Sequence, residues 1–266
     1  MGRAQITLCL GWACFAACLV GLLVPSAPRG RAQAVPPPTR LTVSLTPERE
    51  PLPTTVTLTA QGTVQAVRFS SSTLEVHGTR SGTAAPADRD RVLKRLQEPA
   101  VRGALQKQNF SGAGLSRGDQ FVLLTQGPAG GGRCFGFLAD TQSALQTLVR
   151  ELLALGNRVP VSTAQPAYLR AEAIPTTRLN QMRQANRVRF LRPAEVTDAI
   201  RKVLAEAAAA PLEFQPLELA AYRTALTYCS HGHEFFYLLP QGGFQITLFR
   251  RRTNQPTNLE TKEVKR

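Results

Sequence analysis

Alternation of hydrophobic and polar residues dominates the first half of the chain. Three stretches rich in Val, Thr, Phe and Leu span residues 55–60, 63–70 and 73–78. The turn-forming pairs Gln61-Gly62 and Ser71-Ser72 separate them, which predicts a β-meander. An earlier alternating stretch, Leu41 to Leu45, predicts one more strand.

Apolar spacings of three and four then predict helices. They cover residues 88–98, ending before Pro99, and a shorter segment at 100–108. Strands at 121–125 and 134–138 enclose a glycine-rich loop, which predicts a hairpin. Asp140 is expected to cap a long helix that ends at Leu155.

The second half repeats this mixture of helices and a hairpin. Helices are predicted over residues 176–186, 193–210 and 216–226, and hairpin strands over 234–239 and 244–249. Glu195 falls in the first turn of the second of these helices, where an acid is favourable.

This order predicts an α+β fold with two small domains, each with an antiparallel sheet or hairpin packed on helices. The domains are predicted at 54–157 and 158–250, because Gly156, Pro160 and Pro166 cluster between them. A Pro-rich linker at 35–53 contains the first strand. Residues 251–266 are basic, lack apolar periodicity and are predicted to be a disordered tail.

Residues 1–34 have the order of a secretory signal peptide. Arg3 precedes an apolar run from Ile6 to Pro25, and Ala32-Gln33-Ala34 resembles a cleavage site. The expected location is the periplasm or cell envelope, with a thylakoid lumen as the alternative. Because about 20 apolar residues can span a bilayer, an uncleaved anchor that contacts the membrane also stays open.

The basic charge points to an anionic partner. The chain has 32 basic and 18 acidic side chains, and residues 1–34 hold three of the basic ones and no acid, so removing them lowers the net charge from +14 to +11. For an exported protein we expect an anionic envelope component or another protein as the partner, and no nucleic acid.

One acid-free segment, residues 173–194, provides the candidate surface for this partner. Its arginines are Arg178, Arg183, Arg187, Arg189 and Arg192. Arg183 and Arg187 would share a helix face, and the alternative is an ordinary solvated face.

Two cysteines, Cys134 and Cys229, lie outside the signal segment. In an oxidising compartment they are a candidate disulfide, and the alternative is two small buried residues that do not meet.

Cys229, His231 and His233 alternate, so a strand would present them on one face as weak candidate metal ligands. A complete site needs more ligands, and the only other histidine is His77. The alternative is a polar turn before the hairpin, and we predict no metal and no cofactor.

No catalytic motif is present. The sequence has no Gly-x-Ser-x-Gly elbow, and no Gly-Lys-Ser/Thr follows the glycine-rich loop. We therefore expect a non-catalytic protein, with an extracytoplasmic hydrolase based on an Asp/Glu pair as the alternative.

Two resemblances accompany these patterns. Residues 54–155 resemble the emfourin-type domain of a small protease inhibitor, which implies an inhibitory function but assigns it to no residue. The likeness lies in Thr63–Gly78, Leu93, Leu96, Phe110, Gly118–Phe121 and Phe137–Asp140. The second half resembles exported cyanobacterial proteins in Pro166–Arg170, Tyr222, Ser230–Phe235 and Gln245–Phe249.

The function expected from the sequence is an exported binding or scaffold protein of the cell envelope that uses an arginine-rich surface. A protease inhibitor and a hydrolase are the alternatives.

The predicted cleavage has a direct test. Trp12 is the only tryptophan. Mass spectrometry of the exported protein should give an N-terminus at Val35, and the protein should lack tryptophan fluorescence. A mass that includes residues 1–34 would instead show a retained anchor.

Overall fold

The computed structural model describes residues 38–49, 52–106, 118–127, 131–141, 143–163, 165–185, 188–229 and 232–252. The predicted signal segment, and the predicted tail beyond residue 252, lie outside these ranges. No helix among the described residues is long and apolar enough to cross a membrane.

The N-terminal half, residues 38–163, contains six strands and three α-helices among its described residues. The strands are β1 Arg40–Thr46, β2 Thr54–Thr59, β3 Thr63–Ser70, β4 Glu75–Thr83, β5 Gln120–Gln126 and β6 Gly132–Phe137. The helices are α1 Pro86–Leu96, α2 Pro99–Gln106 and α3 Ser143–Arg158. The predicted meander, hairpin and helices are therefore confirmed. However, Asp140 ends a 3-10 turn, Leu138–Asp140, and does not begin α3.

The C-terminal half, residues 165–252, contains five described strands and three α-helices. The strands are β7 Ala167–Ala173, β8 Phe190–Leu191, β9 Phe214–Leu217, β10 Glu234–Leu239 and β11 Gly242–Arg251. The helices are α4 Thr176–Gln184, α5 Asp198–Ala209 and α6 Leu219–Leu226.

Three boundaries in this half differ from the sequence prediction. The helix predicted from residue 193 begins at Asp198, because residues 193–195 form a separate 3-10 turn that contains Glu195. The helix predicted from Pro216 begins at Leu219, because Pro216 lies in the edge strand β9, where its missing N–H breaks no ladder. Arg251 ends β11 and is not part of the tail.

All eleven described strands belong to one mixed sheet. The strand order is β6-β5-β1-β2-β3-β4-β11-β10-β8, with β7 pairing with β11 and β9. β1 lies between β2 and β5, so it is a central strand and not part of a linker. The fold therefore has mixed α and β content. The division into two domains is not confirmed, because strands of both halves share this sheet.

Three hydrophobic clusters form the core. The first packs α1 and α3 on one face of the N-terminal strands and contains only residues between Leu41 and Val159. The second packs α5 and α6 on β7, β10 and β11 and contains only residues between Ala167 and Leu248. The third joins the halves and consists of Val67, Phe69, Val76, Tyr168, Phe214 and Phe249.

The third cluster, which we call the aromatic junction, covers the place where β4 meets β11. β4 and β11 pair only through Glu75–Arg250 and Val76–Arg251, in parallel orientation. Beside this short ladder the Phe69 ring lies 4.9 Å from Phe214 and 5.5 Å from Phe249, measured between ring centroids. Two-pair strand contacts are weak, so packing of these rings provides most of the attachment at this point.

Removing one of these rings should destabilise the whole protein. Phe214 is completely buried, so Phe214→Ala should lower the free energy of unfolding by about 3–5 kcal/mol in urea titrations. Phe135→Ala is the matched control, because the Phe135 side chain is 39% exposed and belongs to none of the clusters. Equal losses in the two variants would contradict the assigned role of the junction.

Candidate functional site

Hydroxyl groups line the face of the N-terminal strands opposite α1 and α3. Thr42 and Ser44 alternate with the core residues Leu41 and Val43, so they point to the other face. The Thr42 hydroxyl lies 3.2 Å from that of Thr57 across the strand pair. These hydroxyls are buried although no helix of the first cluster covers them, which shows that this face is also a packed interior surface.

Side chains of the N-terminal half contact the C-terminal half across this face. Gln65 Nε2 donates to the Phe214 carbonyl at 3.3 Å, and Gln126 Nε2 donates to the Ala209 carbonyl at 3.1 Å. Arg40 Nε lies 3.4 Å from Glu213 Oε2. The contact between the halves is therefore aromatic near β4 and polar along β1, β3 and β5.

The most charged part of this contact contains Arg133 of β6 with Arg170 and Glu172 of β7. Arg133 Nη2 donates to Glu172 Oε1 at 3.1 Å, and Arg170 Nη2 lies 3.8 Å from Glu172 Oε2. The Arg170 guanidinium carbon lies 5.2 Å from the centroid of Phe69 and 5.9 Å from that of Phe214, within cation–π range. Burial lowers the pKa of Arg170; the charge of Glu172 opposes this shift, and that of Arg133 adds to it.

Four buried side-chain atoms in the described residues have no hydrogen-bond partner, and all four lie where the halves meet. They are His77 Nε2, Arg133 Nε, Arg170 Nε and Glu213 Oε2. Burial also raises the pKa of Glu213 although Arg40 opposes this. An unpaired buried polar group costs about 1–3 kcal/mol. The contact between the halves is therefore less well satisfied in hydrogen bonds than the first and second clusters.

The structure describes four of the five arginines of the surface predicted from sequence, two of them on α4 and two near a 3-10 turn. Arg178 and Arg183 lie exposed on α4 and make no ion pair with a described carboxylate. α4 ends at Gln184, two residues before its predicted end. Arg187, predicted to share a helix face with Arg183, lies outside the described residues.

The remaining two arginines of this set lie around a 3-10 turn. Arg189 Nη2 donates to Glu195 at 2.9 Å, and the Arg192 backbone N–H donates to the same carboxylate at 2.7 Å. These bonds, with that of Arg189 the stronger, lower the pKa of Glu195. Arg189 is therefore partly neutralised, whereas the Arg192 side chain is exposed.

The predicted metal ligands do not share a strand face. Cys229 lies beyond the end of α6, where its thiol contacts the Ala225 carbonyl at 3.7 Å. Gly232, with φ of +64°, and His233 form a turn before β10, a conformation that favours glycine. His231 lies outside the described residues. No group of three or more His, Cys, Asp or Glu that could hold a metal occurs among the described side chains.

Cys134 and Cys229 are both free thiols. Cys134 is buried in the first cluster and Cys229 packs against the second, so the structure shows the alternative in which they do not meet. Burial raises the pKa of each thiol to about 11. Neither is therefore activated as a nucleophile near neutral pH.

The arginines that end β11 lie far from Arg178 and Arg183 of α4. Arg250 pairs with Glu75 at 3.0 Å, and Arg252 Nη1 donates to His77 Nδ1 at 3.1 Å. α4 contacts the other end of β11, where Leu179 packs on Gly243 so closely that a side chain there would clash. A rise of ~3.3 Å per residue places these two ends of the strand about 23 Å apart.

Sequence reasoning did not find Arg133, Arg170 and Glu172 as a group. The alternation in Ala167–Ala173 was the only local signal, because buried Leu169 and Ala171 leave Arg170 and Glu172 on the opposite face. Their meeting with β6 depends on how the halves pack, which no local pattern encodes.

Comparison with known proteins gave no match to a protein-family model, a curated protein or a solved structure. The resemblances to an emfourin-type domain and to exported cyanobacterial proteins therefore stay predictions.

The environment of His77 makes stability depend on pH. Arginine can only donate hydrogen bonds, so the acceptor His77 Nδ1 is unprotonated in the structure. Burial, followed by the charge of Arg252, lowers the pKa of His77 below its usual 6.5. The neutral ring therefore stabilises the folded protein above pH 6.5, and this contribution is lost as the pH falls below that value.

Melting temperatures should accordingly fall more steeply between about pH 7.5 and 5.5 in the unmodified protein than in His77→Gln. His233→Gln controls for the loss of a histidine as such. An unchanged slope in His77→Gln would refute the role assigned to His77.

Proposed function

We propose that this chain is an exported, non-catalytic binding or scaffold protein of the cell envelope that contacts an anionic partner. The contact surface is the α4 surface, which we define as Arg178, Arg183, Arg189 and Arg192. The observation that carries the proposal is the exposure of Arg178 and Arg183 on a helix that has no acidic residue.

The distribution of ion pairs supports this choice. On α1 and α3 several arginines have acidic partners: Arg95 Nε donates to Glu151 at 2.7 Å, and Arg158 and Arg91 both pair with Asp88. These ion pairs cancel part of the positive charge of the two helices. By contrast, Glu195 is the only described carboxylate paired with an arginine of the α4 surface.

The way α4 is attached also suits a contact surface. Leu179 is the only buried residue of this helix, and it packs on Gly243. Its other side chains, including the arginines, are therefore free to meet a partner. Exposed arginine forms bidentate contacts with phosphate and carboxylate groups.

The export prediction restricts the partner. A protein outside the cytoplasm meets anionic lipid headgroups and cell-wall polymers, and no nucleic acid. Residues 54–157 and 158–250 would act as two domains of one scaffold, and the two separate hydrophobic clusters support that division.

The direct test measures binding to vesicles that contain phosphatidylglycerol and to isolated cell-wall polymer. Each cationic side chain near an anionic surface contributes about 1 kcal/mol, so the double variant Arg178→Gln, Arg183→Gln should bind about 30-fold more weakly. About 0.5 M salt should release the unmodified protein, because it shortens the Debye length to a few Å.

The matched control is the double variant Arg89→Gln, Arg91→Gln, which removes two arginines paired with acids on α1. Its binding should stay within about twofold of the original, since exposed ion pairs contribute little net charge. Equal losses in both double variants, or retention that salt does not change, would reject the proposal.

A further inference from the structure

Two guanidinium groups share one carboxylate at the contact between β6 and β7. Arg133 holds Glu172 at 3.1 Å, and Arg170 approaches it only to 3.8 Å. The three charges sum to one excess positive charge. Arg170 is therefore beyond normal hydrogen-bond distance from the nearest anion, although it is largely buried.

The same two arginines keep unused donors. Arg133 Nε and Arg170 Nε are both buried without an acceptor. A guanidinium has five N–H groups and no acceptor, so an added hydrogen-bond acceptor such as an oxyanion would satisfy it. The aromatic rings beneath Arg170 cannot do this, because they interact with the face of the cation and offer no oxygen.

Solvent reaches part of this group. The side chains of Glu172 and Arg133 are 45% and 35% exposed, and that of Arg170 is 17% exposed. Gln245 lies next to Glu172 on β11 and donates its amide N–H to Glu234 at 2.9 Å. A small solute can therefore reach the exposed parts of Arg133 and Glu172 from solvent.

We propose that Arg133 and Arg170 form a binding site for a small oxyanion, a phosphate or carboxylate group, in which Glu172 is the intrachain anion that the ligand displaces. The site shares no residue with the α4 surface, so it goes beyond the function proposed above. Bidentate contact with two arginines suits a phosphate oxygen pair or a carboxylate. Displaced Glu172 would turn to solvent, where half of its side chain already lies.

Competition between Glu172 and the ligand gives the proposal its sharpest consequence. Replacing the carboxylate by an amide of the same shape removes the intrachain anion and leaves both guanidiniums. Glu172→Gln should therefore bind an oxyanion about tenfold more tightly, which equals about 1.4 kcal/mol. Arg133→Gln should lose this binding, since it removes the more accessible cation.

The experiment titrates the purified full chain with inorganic phosphate in one arm and acetate in another, by calorimetry and by ligand-induced shifts of the melting temperature. Phosphate binding with weak acetate binding would assign the site to a phosphate group, and the reverse would assign it to a carboxylate. The double variant Arg178→Gln, Arg183→Gln is the control and should bind as the original does. This separates the site from the α4 surface, so either proposal can fail alone.

If Arg133→Gln bound phosphate and acetate as tightly as the original protein does, the proposal would be overturned. A Glu172→Gln variant that folds, by circular dichroism, and binds no more tightly would overturn it too. If Glu172→Gln does not fold, comparison of Arg133→Gln with the original protein decides the matter, because that variant needs no change on β7.

Discussion

The packing of Phe69 against Phe214, with the Arg170 guanidinium over both rings, is the interaction on which the arrangement of this protein depends. The ladder between β4 and β11 contains only two residue pairs, so backbone hydrogen bonds alone would join the halves weakly. The rings bury apolar area from both halves at that point. Because Arg170 belongs to the same contact, the attachment also carries a buried charge that needs an anion.

Charge is distributed unevenly over the rest of the structure. The helices α1 and α3 pair most of their arginines with acids, whereas α4 has arginines and no acid. At the contact between the halves the arginines form ion pairs, but some of their buried N–H donors have no acceptor. Two features of this basic protein stand apart: an exposed helix with arginines and no acid, and a partly buried arginine pair.

Local patterns predicted the elements whose partners are close in sequence. Hairpin β10–β11 was predicted correctly because alternation and Gly242-Gly243 both lie within it, and α3 because its apolar stripe is continuous. β7 was missed because its partners β9 and β11 lie far along the chain, and its Ala, Arg and Glu content is no β signal.

The two candidate sites also differ in whether local sequence or long-range packing defines them. Arg178 and Arg183 lie in a segment that contains no acidic residue, so the sequence composition alone indicated this surface. The group of Arg133, Arg170 and Glu172 needs the packing of β6 on β7, which only the fold supplies.

Hydrogen–deuterium exchange with and without phosphatidylglycerol vesicles most directly tests the central claim, that the envelope partner binds at the α4 surface. The account predicts slower exchange over residues 176–192. Exchange over α1 should not change, because α1 is equally rich in arginine but its arginines are paired with acids. Protection spread evenly over both helices, or confined to α1, would contradict it.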